Sequence, residues 1–249
     1  MRIAIFSDVH SNIDALEVVL RRYEELAIDK YVCLGDVVGY GGAPQECCEL
    51  VRNLVEVCIL GNHDAAVCGR MDYAYYYEAA RNALDHHASL VSATNLEWLR
   101  SLPYMDRREG WTYSHGSPVN VEAFDYVFNF QQATALLLHW GELRPVTFIG
   151  HSHLTKAFAL APPGTNGPRI EEVFGPLITF DPARRYIVTV GSVGQPRDND
   201  ARACFTVFDT EAMTLEYHRA DYDILKAAQR IFDCKRLVPD FGKRLFLGI

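Results

Sequence analysis

Residues 3–7 form a short, nearly continuous apolar run, as expected of a strand covered on both faces. Past the more polar stretch Asp8-Val9-His10-Ser11-Asn12, apolar residues return at Leu16, Val19, Leu20, Tyr23 and Leu26. That spacing predicts a helix, with Ser11 or Asn12 as its N-cap. A second buried strand is expected over 31–34, followed by a loop containing Gly35, Gly39, Gly41 and Gly42. Pro44 then opens a helix to about 54, and 55–60 reads as a third strand. This strand–helix–strand–helix–strand order predicts parallel pairing in a central sheet, hence an α/β class.

Residues 73–102 read as helices led by a tyrosine-rich stretch, Tyr73, Tyr75, Tyr76 and Tyr77. Partly buried helix packing accounts for these rings better than a lid or a self-association face. Strands at 111–114 and 145–149 flank a helix over 131–140. From 157 the pattern changes to strands separated by turns, at 157–160, 177–180, 186–190, 203–208 and 214–219. The segment 161–168 has the composition of a turn or hairpin tip. A last helix is expected over 222–232. Without repeats, low-complexity tracts or a long linker, residues 1–249 are expected to form a single domain.

The formal net charge of −8 argues against a surface that holds a nucleic-acid polymer by neutralising its backbone. A small anionic substrate stays compatible, because buried cations would dominate the local field. The seven cysteines include no Cys-x-x-Cys pair, and several sit in apolar runs such as Val32-Cys33-Leu34, so they read as small buried hydrophobes. The N-terminus enters its first strand too soon for a signal-peptide core, and no apolar stretch is long enough to span a bilayer. A soluble, cytoplasmic protein is the expectation.

Most chemically capable residues fall just after predicted strands, where loops at the carboxyl edge of a sheet build sites. Asp8 and His10 follow the first strand, Asp36 the second, and Asn62-His63-Asp64 the third. His115 ends the 111–114 strand, and His151 and His153 follow 145–149. Carboxylate, imidazole and amide oxygen together suit borderline divalent cations. Asp-x-His alone carries little weight, whereas Gly61-Asn62-His63-Asp64 and Gly150-His151-Ser152-His153 are uncommon. His86, His87, His139 and His218 lie outside these motifs and read as surface or satisfied core residues.

The ordered set Asp8-x-His10, Gly35-Asp36, Gly61-Asn62-His63-Asp64, His115 and Gly150-x-x-His153 resembles the calcineurin-like metallophosphoesterase superfamily, in particular its small stand-alone prokaryotic phosphodiesterase-like members. The resemblance continues into Gly191-Ser192-Val193-Gly194-Gln195-Pro196-Arg197-Asp198. It implies a four-layer α-β-β-α sandwich, two mixed sheets face to face with helices outside. It also implies two divalent ions (manganese, iron, zinc or nickel). Asp8, His10, Asp36 and His153 would hold one, and Asp36, Asn62, His115 and His151 the other. Asp36 would then bridge, a hydroxide shared by the metals would attack phosphorus, and His63 would protonate the leaving oxygen. The implied substrate is a small phosphate ester, cleaved by phosphodiesterase or phosphatase chemistry.

One departure stands out. The protein-phosphatase branch follows Gly-Asp with a second aspartate that supports the catalytic histidine, and here that position is Gly39. Protein phosphatase activity is therefore not expected, and Asp64 is left either to replace the missing carboxylate or to cap a helix. Arg197 and its glycine-containing loop would bind phosphate or form a surface turn. Metallo-β-lactamase-like and amidohydrolase motifs do not fit. A non-catalytic scaffold is the alternative from another class, and it would be marked by damage in the ligand set.

Overall fold

The computed structural model describes residues 1–108, 110–166 and 169–249. Its centre is β1 (Arg2–Phe6), with parallel β2 (Lys30–Cys33) and β3 (Val57–Cys58) on one side. On the other side β1 pairs antiparallel with β11 (Ala203–Asp209), which leads to β12 (Thr214–Ala220) and the short β9 (Leu177–Thr179). The second sheet runs β4 (Met105–Arg108), β5 (Trp111–Ser114), β6 (Val146–Ile149), β10 (Arg185–Val190), β7 (Thr155–Leu160) and β8 (Ile170–Val173). In it β5, β6 and β10 are parallel neighbours.

The alternation along β1 shows why both of its faces are apolar. Ile3 and Ile5 point into a core shared with Val146, Phe148, Ala157 and Val188 of the second sheet. Ala4 and Phe6 point the other way, into a core built with helices. That outer layer contains α1 (Ile13–Glu24), α2 (Pro44–Leu54), α3 (Asn62–Val67), α4 (Glu78–Leu90) and α5 (Ala93–Ser101). It is completed by α7 (Ile224–Phe232) and α8 (Pro239–Leu247). The far face of the second sheet, with Phe158, Leu160 and Ile187, is covered by α6 (Phe130–Ala135) and the 3₁₀ turn that follows it. Four layers result, as expected, and the parallel order of the first three strands is as predicted.

Several details differ from the sequence expectation. Asn12, not Ser11, caps α1, its Oδ1 accepting from the Ala15 amide at 3.1 Å. The tyrosine stretch precedes α4 as irregular chain instead of starting it, leaving Tyr75 and Tyr77 75% and 54% exposed. Helix packing therefore explains neither ring. β4, β8, α3 and α8 were not foreseen. Residues 167 and 168 of the expected turn lie outside the described residues, while β7 and β8 on either side pair antiparallel. Cys33, Cys47, Cys48, Cys58, Cys68 and Cys204 are buried and Cys234 is half-buried, all as free thiols. No helix among the described residues is long and apolar enough to cross a membrane.

Candidate active site

The loops leaving β1, β2 and β3 meet those leaving β5, β6 and β10 at one end of the sandwich. They are zipped together by backbone hydrogen bonds: Asp8 and His10 amides donate to the Gly35 and Asp36 carbonyls at 3.0 and 2.9 Å. The Gly194 amide donates to the Asp8 carbonyl at 2.9 Å, and the Gly150 amide to that of His115 at 2.9 Å. Two glycines allow this closeness. A Cβ at Gly61 would stand 2.2 Å from both the amide nitrogen and Oδ1 of Asp36. At Gly194 it would stand 1.8 Å from the Val9 carbonyl oxygen.

All seven predicted ligands converge here, each of them buried. Asp36 Oδ2 lies 3.6 Å from His10 Nε2 and 3.3 Å from His115 Nε2, which places it between two clusters. On one side Asp8 Oδ1 is 3.4 Å from His153 Nε2 and 3.8 Å from His10 Nε2. On the other, Asn62 Oδ1 is 3.1 Å from His115 Nε2, and His151 packs 4.9 Å from the His115 ring. Asp36, His115 and His151 can present ligand atoms to one point, as can Asp8, His10 and His153.

The imidazoles are set for cations by what lies behind them. His10 Nδ1 is 3.1 Å from the Val38 carbonyl, His115 Nδ1 2.7 Å from that of Leu34, and His153 Nδ1 2.6 Å from that of Gln195. A carbonyl oxygen only accepts, so each Nδ1 carries the proton and donates it. In the neutral rings Nε2 is then a bare lone pair. His10 Nε2 and His153 Nε2 approach to 3.0 Å, an arrangement that is repulsive alone. Two nitrogens binding one cation at about 2.1 Å stand roughly 3.0–3.4 Å apart. The amide of Asn62 is likewise oriented, its Nδ2 donating to Tyr76 Oη at 2.7 Å and its oxygen facing inward.

The electrostatics agree. Burial holds His10, His151 and His153 well below the ordinary histidine range, so these rings are neutral. Burial acts against charge on His115 too, but the adjacent Asp36 carboxylate outweighs it and raises His115 to about 10. Burial likewise tends to raise Asp36, yet His115, His63 and His10 hold it well below the usual carboxylate range. Asp8 is pushed by burial to about 7. The cage therefore favours positive charge beside Asp36, and its donor set fits divalent cations.

Among the non-glycine residues with positive φ are Asp8, His10, Asp36, His151 and His153, at 55°, 47°, 51°, 64° and 59°. Five of the seven predicted ligands thus sit in the left-handed region, where backbone strain concentrates at functional sites.

His63 lies beside this cage, its backbone amide donating to Asp36 Oδ1 at 2.9 Å. Asp64 does not orient it. Its two carboxylate oxygens accept from the Val38 and Gly61 amides at 3.1 and 3.2 Å, so Asp64 caps α3 and pins the β2 loop. A Cβ on Gly39 would stand 2.4 Å from His63 Nδ1, so the residue at the supporting position touches the ring with nothing to offer it. Nδ1 is buried and unpaired. Packing holds the ring instead, with Tyr40 and His10 at centroid distances of 4.5 and 4.9 Å. Burial lowers the ring to about 4.

Arg197 reaches the mouth of the cage. Its side chain donates to Gln195 Oε1 at 3.1 Å, lies over the Tyr40 ring at 5.8 Å, and keeps its Nε buried without a partner. The loop before it does not aim its amides at the cleft, since the Val193, Gly194 and Gln195 amides bond to Ser7, Asp8 and Ser192. That half of the phosphate-binding expectation is not met. Of the remaining histidines, His87 is a satisfied core residue bonded to Gly39 and Gly41, and His139 pairs with Glu142 near the surface. Tyr40, Tyr76, Tyr126 and Gln195 were missed as site residues. Only Gln195, inside the Gly191–Asp198 motif, carried a signal.

The fold and the cage define a metal-dependent phosphoesterase. Residues 1–181 match the calcineurin-like phosphoesterase family model, and the chain belongs to that family of hydrolases of phosphoric esters. It is 34% identical to an uncharacterized protein of Methanocaldococcus jannaschii over 99% of this chain and 98% of that one. The crystal structure of a metallophosphoesterase from Sphaerobacter thermophilus superposes with a TM-score of 0.81 at 33% identity, covering 100% of this chain and 99% of the other. A hypothetical protein of Pyrococcus horikoshii shares the fold, with a TM-score of 0.77 at 22% identity over 100% and 98% of the two chains. No ligand position is damaged, so the scaffold alternative has nothing to rest on.

Proposed function

We propose that this enzyme is a dinuclear hydrolase of small phosphate esters, formed by one cytoplasmic domain. Asp8, His10, Asp36 and His153 would hold one cation and Asp36, Asn62, His115 and His151 the other. The supporting observation is the set of three imidazoles around Asp36 whose Nδ1 protons are committed to backbone carbonyls, so that Nε2 is the atom each turns to the cage. When bound, two divalent cations supply an acidified water as nucleophile and neutralise phosphoryl charge.

The remaining work falls to the chain itself. Asp36 keeps the two halves of the cage in register, and Asn62 and His115 are fixed in rotamer by Tyr76 and Leu34. Arg197, with no carboxylate ion pair among the described residues, offers a guanidinium to a phosphoryl oxygen. His63 faces the same cleft and, once protonated, passes that proton to the leaving oxygen. A chain of net charge −8 with this cleft takes a small ester rather than a nucleic-acid polymer.

The test is a panel of phosphate mono- and diesters assayed with manganese, iron, zinc or nickel returned to stripped protein. About two cations per chain and turnover of a generic aryl phosphate are expected. Protein that stays metal-free and inert under saturating manganese refutes the reading.

A further inference from the structure

The cage opens into a cleft of about 460 Å³, within the roughly 300–1,000 Å³ typical of small-molecule sites. Its floor is Asp36, Asn62, His63, His151 and His153. Six rings line its walls, Tyr40, Tyr75, Tyr76, Tyr77, Phe124 and Tyr126, together with Asp125 and Arg197. Some of these rings serve the protein. Tyr40 packs on His63, and Tyr76 bonds Asn62. Tyr75, Tyr77 and Tyr126 remain 75%, 54% and 42% exposed. Tyr126 is the most informative. One face lies parallel on His151, with centroids 3.9 Å apart and planes 14° off, so the opposite face is the one left to solvent. The ring is thus held flat beside a predicted ligand, with Phe128 meeting it edge-on at 5.7 Å.

Exposed rings clustered around a cleft carry a meaning that scattered surface apolar residues do not. A chain binding only the phosphoryl group would need the cage and Arg197, and these walls would be unused. Flat rings at this distance from a phosphate site match a ligand whose phosphate and planar base are joined by one sugar. Stacking on aromatic side chains is how proteins hold nucleobases without reading their edges.

We propose that the aromatic walls form a nucleobase subsite, so that the substrate is a nucleoside phosphate ester stacked on the free face of Tyr126 and flanked by Tyr75 and Tyr77. Arg197 and the cage hold the phosphate while the rings hold the base. The proposal rests on the phosphoesterase reading of the same site and adds the chemical class of its substrate.

Calorimetric titration of the manganese-loaded full chain with adenosine 5′-monophosphate and with ribose 5-phosphate isolates the base, the only group by which the two differ. The nucleotide should bind roughly tenfold more tightly or better, since a stacked base is worth about that on loss of its platform. Tyr126→Ala should bring the two affinities together, whereas Tyr126→Phe should keep them apart. Tyr75→Ala and Tyr77→Ala, at exposed positions that put the fold at little risk, should each narrow the gap. Equal affinities for the two compounds, no measurable binding of either, or a gap that survives all three alanine variants overturns the subsite. Hydrolysis of methyl p-nitrophenyl phosphate tests the underlying reading separately. Turnover with equal affinities removes only the base subsite. No turnover with any added cation removes the phosphoesterase reading, and the affinity ratio still decides the subsite.

Discussion

The floor of the cleft and its rim are built by opposite rules. In and beneath the floor Asp8, His10, Asp36 and His115 are at most 1% exposed, and their loops are hydrogen-bonded to one another through the backbone. On the rim Tyr75 and Tyr77 stand in irregular chain and stay 75% and 54% exposed, and Tyr126, stacked on His151, is still 42% exposed. The floor is preorganised, so the geometry of charge is fixed before any ligand arrives. The rim spends exposed apolar surface that folding does not need. The proposed chemistry uses the first region and the proposed selectivity the second.

The largest effects should come from the floor. Asp36→Asn is expected to lower kcat/KM roughly a thousandfold or more and to reduce bound metal, measured by elemental analysis of the purified variant. His63→Ala should cost roughly a hundred- to ten-thousandfold while leaving metal content intact. That cost should shrink for substrates with acidic leaving groups, and full activity on a poor leaving group would remove His63 from the acid role.

Next is Gly61→Ala, whose Cβ meets the backbone of Asp36 at 2.2 Å. It should destabilise the chain by about 1–3 kcal/mol and weaken cation binding at least about tenfold. Gly141→Ala, with nothing within 4 Å, is the control and should leave urea unfolding and metal titration unchanged. Removing the cations from wild-type protein reads the same cage through its stability. At a hundredfold excess over Kd, one cation adds about 2.7 kcal/mol. Stripping it should lower Tm by roughly 5–10 °C for a chain of this size, and an unchanged melt would count against the cage.

A pH-dependent effect lies behind the floor, at His87. Burial lowers this ring from its ordinary 6.5 to about 3, and it accepts from the Gly39 amide while donating to the Gly41 carbonyl. Because the unfolded chain takes up the proton first, the stability this neutral ring supports is full above pH 6.5. It falls by about 1.4 kcal/mol per pH unit as pH drops toward 3. Urea titrations at pH 7, 6 and 5 should show a shallower fall in His87→Gln than in wild type, the other buried neutral rings contributing to both.

The convergence of the seven candidate ligands was legible because each is a polar residue that interrupts an apolar run at a strand exit. Where that contrast fails, reading fails. β4 (Met-Asp-Arg-Arg) and β8 (Ile-Glu-Glu-Val) are edge strands with charged positions, so no clean alternation marks them. α3 begins inside the Gly-Asn-His-Asp motif and lasts six residues, too few to show a helical period. α8 did carry a usable signal, Pro239 at its first position with buried Phe241 and Leu245 four apart. The rim was hidden for another reason. Tyr126 meets His151 across 25 positions of chain, and no local pattern encodes such a contact. Likewise the role of Asp64 was open in the sequence, and only its two amide contacts decide it.

The left-handed ligand residues limit how this centre can be rebuilt. Apart from glycine, aspartate, asparagine and histidine are the side chains that best tolerate that backbone. Asp8, His10, Asp36, His151 and His153 therefore meet two demands with one residue, as donors and as hinges of tightly folded loops. An engineer wishing to soften the donor set with cysteine, or lengthen it with glutamate, would find the chemistry acceptable and the main chain unwilling. Asn62 and His115, whose backbones lie outside that region, are the two positions where the alphabet is open.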